Sequence, residues 1–542
     1  MTITMAGGAG SAWQALRRSF LASPLYGLTL MGQRAASLAT TPRDPWPGEQ
    51  RRGEAILKEI DSLAAALKRR AEVDPARREW LHSFAWLRDL RAVGGDQARR
   101  QARELVAVWI LEHERWSEIP WRPDVVGARL AAWLGGFDFF AASADDFFRN
   151  ELLTSLCRQA RHLSRTVRSA PPGSPEVAAL HGLLAVGVAL PDGERRVAQA
   201  VRLLKRVIWD QILDDGGHVE RSPRVHLDVL RRMIEMRTLL RAGGHEVPPV
   251  LDDAIERMAP MLRLFRHGDG GLAFFNDTGD EPGGAIDLVL TQSDSRTRRG
   301  VSAPDTGFER LQAGRTIVIA DVGAPPPPGL DGHAHAGTLA FEMSVGKERL
   351  IVNCGVHRSP TPAWRAVQRS TAAHSTVSIG DTNSSEILAE GGIGRRPNAV
   401  TRSRRDEDGS IWIDSSHDGY RQPFGIVHRR QLYLGAAGED FRGADTLSAS
   451  GSGAVGRRFA IRFHLHPRVK ASLVQDGAAV LLGLPAGGGW RFRAVGGRLG
   501  LAESVWLGDN GDVKRTEQIV VEGAVGAGDT IVKWALQAVP KR

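Results

Sequence analysis

The sequence predicts an α+β protein of more than one domain, with a helical N-terminal half followed by an antiparallel β-sandwich. Three observations predict it. Apolar residues recur at three- and four-residue spacing as far as about residue 265. Short β-branched runs separated by Gly-rich turns take over near residue 300. A chain of 542 residues is also too long for one core. Hydrophobic content of 42% and charged content of 25% are ordinary for a globular protein, and no apolar run reaches the roughly 18–20 residues that span a bilayer.

Taken in order, residues 1–45 form an N-terminal leader. Its Leu16-Arg17-Arg18-Ser19-Phe20-Leu21 is similar to a twin-arginine export signal, but Pro24, Tyr26 and Thr29 interrupt the apolar stretch and no small-residue cleavage site follows. The leader is therefore either an export signal or an ordered segment packed on the first domain.

Residues 46–300 read as helix after helix. Val197, Val201, Leu204, Ile208 and Ile212 make one apolar stripe, and Leu152, Leu153, Leu156 and Leu163 make another. Ser222-Pro223 starts a helix, with Ser as N-cap and Pro in the first turn, and Gly243-Gly244 ends it. Short helices joined by brief turns pack in pairs; a helical barrel satisfies this, and so does a solenoid.

Residues 301–542 form the sandwich, the change of character falling at 285–310. Arg315–Val322 is a strand, Pro325–Pro328 a stiff spacer, and Thr338–Ser344 a strand with alternating faces. Arg349–Asn353, Ser375–Ile379, Ile411–Ser415, Gln431–Leu434, Phe459–His464, Trp490–Val495 and Thr530–Leu536 supply more strands.

The formal charge is +9, and only eight of the 71 basic residues are Lys. Guanidinium groups grip carboxylates and sulfates through two parallel hydrogen bonds, which suits an acidic glycan; an arginine-rich genome gives the same count. The basic residues are scattered and no nucleic-acid motif is present, so nucleic acid is not an expected partner. Cys157 and Cys354 read as buried free thiols.

Histidine placement carries the chemistry. His333 and His335 lie in Asp331-Gly332-His333-Ala334-His335, ahead of a strand, where one can be a metal ligand and the other an acid–base imidazole. If the strand reaches back that far they share a face; in a turn they diverge. Gly217-His218-Val219-Glu220-Arg221 packs ionisable groups beside a helix N-terminus, a natural anion site. His374 opens another strand, and His417-Asp418-Gly419-Tyr420 and Val427-His428-Arg429-Arg430 follow. Any one of these alone reads as a structural histidine.

In this order, together with Trp121 to Leu130 ahead of them and Leu350 to Gly355 between, these segments resemble the heparinase II/III family of polysaccharide lyases over nearly the whole chain. The resemblance implies an N-terminal (α/α) toroid, an incomplete helical barrel, and a C-terminal sandwich with a substrate cleft between them. It implies β-elimination at a uronic acid: the sugar carboxylate is neutralised, a base removes the neighbouring C5 proton and an acid protonates the leaving oxygen. It implies catalytic roles for His218, Glu220, His333 and Tyr420, and substrate contacts from Trp121, Arg129, Arg221, His226 and His428. It places a structural zinc on His335, Asn353 and His374, although Asn353 stands where a carboxylate is expected and a neutral amide is a poor zinc ligand.

One departure matters. Gly268–Asp280, where the family carries a catalytic Tyr, has none, and only Tyr26, Tyr420 and Tyr433 exist. Either His218, His226 or His333 takes its place, or Tyr420 reaches in, or the protein binds glycan or assists polysaccharide assembly without cleaving. An exposed polymer substrate implies the periplasm, with the cytoplasm as alternative, and homodimerisation stays open.

Overall fold

The computed structural model describes residues 16–32, 35–68, 71–281, 283–298, 300–357, 361–389, 391–451, 453–509 and 512–539. Helices occupy the chain to Ser293 and strands dominate from Ser302 onward. Among the described residues no helix is long and apolar enough to cross a membrane. Of the leader, residues up to 15 lie outside the described region; Leu16–Leu21 is helical and mostly exposed, and Pro24–Thr29 forms a short helix.

Two compact units emerge. One holds the described residues through Asp210 with Arg231–Asp253; the other holds Gln211–Leu230 with Ala254 onward. The first unit is all helix. Glu194–Gln211 and Asp146–Thr166 carry the stripes read from sequence, while Ser174–Ala189 is apolar on every side and buried on nearly every side. Cys157 and Cys354 are free and buried.

The second unit contains two antiparallel sheets. One runs Ser302–Ala303, Phe308–Ala313, Thr316–Asp321, Phe341–Val345, Glu348–Val352, Arg458–Leu465, Asp512–Ala524, Arg498–Asp509, with Val377–Ile379 paired to Arg458–Leu465. The other runs Lys470–Val474, Ala479–Gly483, Gly489–Val495, Asp529–Val539, Asp440–Ala449, Ile426–Leu434, Ser410–His417, Val400–Glu407. Residues of both sheets, including Val318, Phe341 and Phe463 of the first and Ile413, Leu432 and Trp534 of the second, share one core, which makes the pair a sandwich.

The strand expected at Thr338–Ser344 begins later, at Phe341, and is buried on both faces instead of alternating. Leu339 takes a left-handed backbone (φ +64°), which no strand residue adopts, so apolar spacing here reflected a buried turn. His333 and His335 therefore lie in irregular chain ahead of the strand, and both reach Asp277, His333 at its carboxylate and His335 at its backbone N–H.

Candidate functional site

The second unit draws His218, Glu220, Asp277, His333, His335 and His374 into one cluster. Ser222 caps the helix Pro223–Ala242, its Oγ accepting from Val225 N. The segment before it carries Glu220. Facing it is the turn Asn276-Asp277, where two consecutive non-glycine residues take positive φ (+46° and +60°). Such strain persists only where surrounding bonds dictate it. Here Asn276 donates to Arg221 O and accepts from His335 N, Asp277 N donates to His335 Nε2, and Arg224 Nε donates to Asp277 O. Behind them the buried Glu342 accepts from Phe274 N and Asn353 N.

His333 is the open member, with its side chain 35% exposed. Its Nδ1 lies 2.8 Å from Asp277 Oδ2. A carboxylate only accepts, so Nδ1 carries the proton and Nε2 presents a lone pair, 3.7 Å from Glu220 Oε2. Arg224 Nη2 also lies 2.8 Å from Asp277 Oδ2. Burial pushes the Asp277 carboxyl up, but Arg224 and the His333 hydrogen bond outweigh it and hold it well below the usual carboxylate range. The result is an imidazole oriented by a carboxylate that Arg224 and the imidazole itself keep ionised, a unit suited to moving a proton at Nε2.

The other imidazoles are spoken for. His218 is buried, accepts from Glu220 N at Nδ1 and meets Gln211 Oε1 at 3.1 Å through Nε2; burial pulls its pKa down to about 3. It fixes the Glu220 backbone and stays neutral. His335 and His374 form a relay with a single consistent direction: His335 Nε2 accepts from Asp277 N, His335 Nδ1 donates to His374 Nε2 (3.1 Å), and His374 Nδ1 donates to Ser370 O. Burial lowers both pKa values, His374 to about 4. Asn353 spends its amide on Phe274 O and Ser375 N. Among the described residues no group of three His, Cys, Asp or Glu side chains is placed to hold a metal. The ring nitrogens are engaged and the third ligand is neutral and engaged, so the expected zinc set does not fit a divalent cation here.

Several expected contacts fall elsewhere. Arg221 binds Asp321, Thr306 O, Gly307 O and Ala324 O and lies buried over Phe308; it anchors its own segment instead of a ligand. His226 is buried, with Nε2 on Met258 O. Tyr420 is a core residue donating to Val377 O, and burial raises its pKa. His428 is wholly buried between Asp445 and His417. In the first unit Trp121 donates to His113 O from a buried position, and Arg129 is wholly buried against Trp109, bonded to Gln159, His82 O and Pro120 O. Each was expected at substrate or in catalysis; each side chain is committed to the interior. Sequence reasoning missed Asp277, Asn276 and Arg224. A signal existed: Asn-Asp after Phe274-Phe275 is a dipeptide that tolerates left-handed backbone.

Residues 76–286 match the heparinase II/III N-terminus model and residues 295–535 the heparinase II/III-like C-terminal model. The chain belongs to the heparinase II/III family. It is 34% identical to FtsZ-localized protein C of Caulobacter vibrioides, over 95% of this chain and 94% of that one. A solved heparinase III structure superposes with a TM-score of 0.70 at 15% identity, covering 87% of this chain and 79% of that one. A heparan sulfate lyase mutant from Pedobacter heparinus gives 0.64 at 16% identity, covering 98% and 90%. These likenesses show the fold, a helical toroid followed by a β-sandwich, as the sequence predicts.

Proposed function

We propose that the protein is a lyase for an acidic, uronate-containing polysaccharide, with His333 as its acid–base group. The observation that carries this reading is the half-exposed His333, oriented by Asp277 and presenting a bare Nε2 beside Glu220. Elimination breaks the C5–H and C4–O bonds and forms the C4–C5 double bond. Nε2 takes the C5 proton and, as imidazolium held by Glu220 and Asp277, returns it to the departing O4 when both lie on one face of the ring. Arg224, which shares Asp277 Oδ2 with His333, is the cation assigned to the sugar carboxylate, whose charge must be offset before C5–H becomes acidic. Tyrosine takes no part: Tyr26 bonds His162 in the first unit, Tyr420 is sealed in the core, and Tyr433 lies on a strand of the second sheet.

A second reading, glycan binding or polysaccharide assembly without turnover, is favoured by one feature. Two carboxylates flank the imidazole, Asp277 Oδ2 at 2.8 Å from Nδ1 and Glu220 Oε2 at 3.7 Å from Nε2, and both repel an acidic sugar brought to His333. The relative named for localisation with FtsZ fits that reading too.

Incubation with a panel of uronate polymers, followed by ultraviolet absorbance of the unsaturated product, separates the two. The lyase reading expects product from the wild type and a loss of about 10²–10⁴-fold in His333→Ala. No product from any polymer, with binding retained, gives the second reading.

A further inference from the structure

The second sheet turns one face to the core and the other away from it, and the outward face is not ordinary surface. Cross-strand register lines up Arg405, Trp412, Tyr433, Arg442, Ala535 and Arg493 as one row across six neighbouring strands. At about 4.8 Å per strand such a row runs roughly 24 Å. The next row on the same face places Asp414, Gln431, Ala444 and Lys533 side by side. Together they line a groove of about 730 Å³.

The chemistry of the rows is specific. The Trp412 and Tyr433 rings lie 5.0 Å apart, and the Arg405 guanidinium sits 4.7 Å over Trp412. Ala444 and Ala535 keep the floor low between Arg442, Arg493 and Lys533. Gly443 lies in register with Leu432 and Trp534 on the inner face, where a Cβ would come within 2.2 Å of the Trp534 ring, so its role is in the core. Four lining cations face one lining carboxylate, Asp414, which Arg429 and Gln431 hold in place; Asp440 pairs Arg442 and Glu407 pairs Arg405 at the edge, which leaves Arg493 and Lys533 as the cations without a carboxylate partner among the described ion pairs. An aromatic pair flanked by cations and small residues is a platform for an anionic ligand with an apolar face, such as the C–H face of a charged sugar ring.

We infer that this outer face of the sandwich is a second, non-catalytic binding site for an acidic polysaccharide. Arg405, Arg442, Arg493 and Lys533 engage carboxylates or sulfates, Trp412 and Tyr433 supply the apolar platform, and Asp414 and Gln431 accept from sugar hydroxyls. A glycan offers hydroxyl protons to Asp414 and Gln431 at every residue along its length, and competition by DNA in the test below separates it from nucleic acid. The inference rests on the reading that the protein handles an acidic glycan, and it gives that glycan a long anchor whose charge is favourable where the charge at His333 is not.

The test is gel retardation of the full-length protein in hyaluronan, polygalacturonate, heparan sulfate and neutral dextran, with turnover measured separately on short uronate oligosaccharides. Wild type and His333→Ala are expected to be retarded by at least one acidic polymer and not by dextran. Trp412→Ala/Tyr433→Ala is expected to bind about tenfold more weakly, with turnover on short oligosaccharides unchanged. Arg442→Ala/Lys533→Ala, which removes only exposed side chains, guards against misfolding of the aromatic variant and is expected to weaken retention and its salt dependence. Retention equal to wild type in both variants, equal retention by dextran, or displacement of the polymer by a DNA oligonucleotide overturns the inference. So does wild type that no polymer retards, while product from short oligosaccharides would leave the His333 reading standing.

Discussion

Two histidines in this molecule have nearly the same partners. His333 Nδ1 meets Asp277 at 2.8 Å, with Arg224 on the same carboxylate; His428 Nε2 meets Asp445 at 2.7 Å, with Arg430 on the same carboxylate. The difference is in the fourth direction. The second nitrogen of His333 faces Glu220 beyond hydrogen-bond distance from a side chain 35% exposed, whereas that of His428 contacts His417 at 3.2 Å in the sealed core, where Trp534 also donates to Asp445. The first arrangement leaves a proton site open; the second uses every donor and acceptor for cohesion. An Asp–His–Arg set is thus not a functional signature until its burial is known.

Breaking the sealed cluster has the largest expected effect. Asp445→Ala leaves Arg430, His428 and Trp534 without their acceptor and is expected to cost about 3–5 kcal/mol in urea-induced unfolding. Wild-type stability in that variant would show the core network to be dispensable.

Acid sharpens the comparison next. His218, His374 and His464 are buried neutral with pKa values pulled down by burial to about 3, about 4 and about 3. In the unfolded chain each returns to about 6.5. The unfolded state then binds more protons between those limits, so stability is complete above pH 6.5 and falls as pH drops below it, by about 1.4 kcal/mol per pH unit for each histidine that stays neutral. Asp445, held low by Arg430 and His428 against the upward push of burial, adds a loss of the same sign only below about pH 4. A melting temperature flat from pH 7 to 4.5 would contradict this.

The smallest expected effect is that of metal removal. With His335, His374 and Asn353 bonded among themselves and to backbone, prolonged treatment with a chelator is expected to leave the melting temperature within about 1 °C. A drop of several degrees, restored by zinc, would show that the relay opens around an ion.

Legibility followed periodicity and stopped at burial. The stripe of Val197, Leu204 and Ile208 announced the helix Glu194–Gln211, and the run within Arg315–Val322 announced Thr316–Asp321. Strands with a charged outward face, such as Val400–Glu407 (VTRSRRDE), escaped because their apolar content is too low for a pattern, and Leu339 misled because a turn can be as apolar as a strand. His333 and Glu220 were singled out through the order of motifs, and the structure brings them to 3.7 Å from each other. Asp277 was not, because only the folded turn Asn276-Asp277 carries it to His333. Trp121, Arg129, Tyr420 and His428 carry side chains suited to a site, but sequence holds no direct record of their burial.

The account depends most on Asp277 holding His333 with Nε2 bare. The direct measurement is the initial rate of unsaturated-uronate formation by Asp277→Asn beside the wild type, at matched melting temperatures. The prediction is measurable product from the wild type and a loss of about 10²–10⁴-fold in the variant. Product at the wild-type rate from Asp277→Asn, or none from the wild type on any uronate polymer, would contradict it.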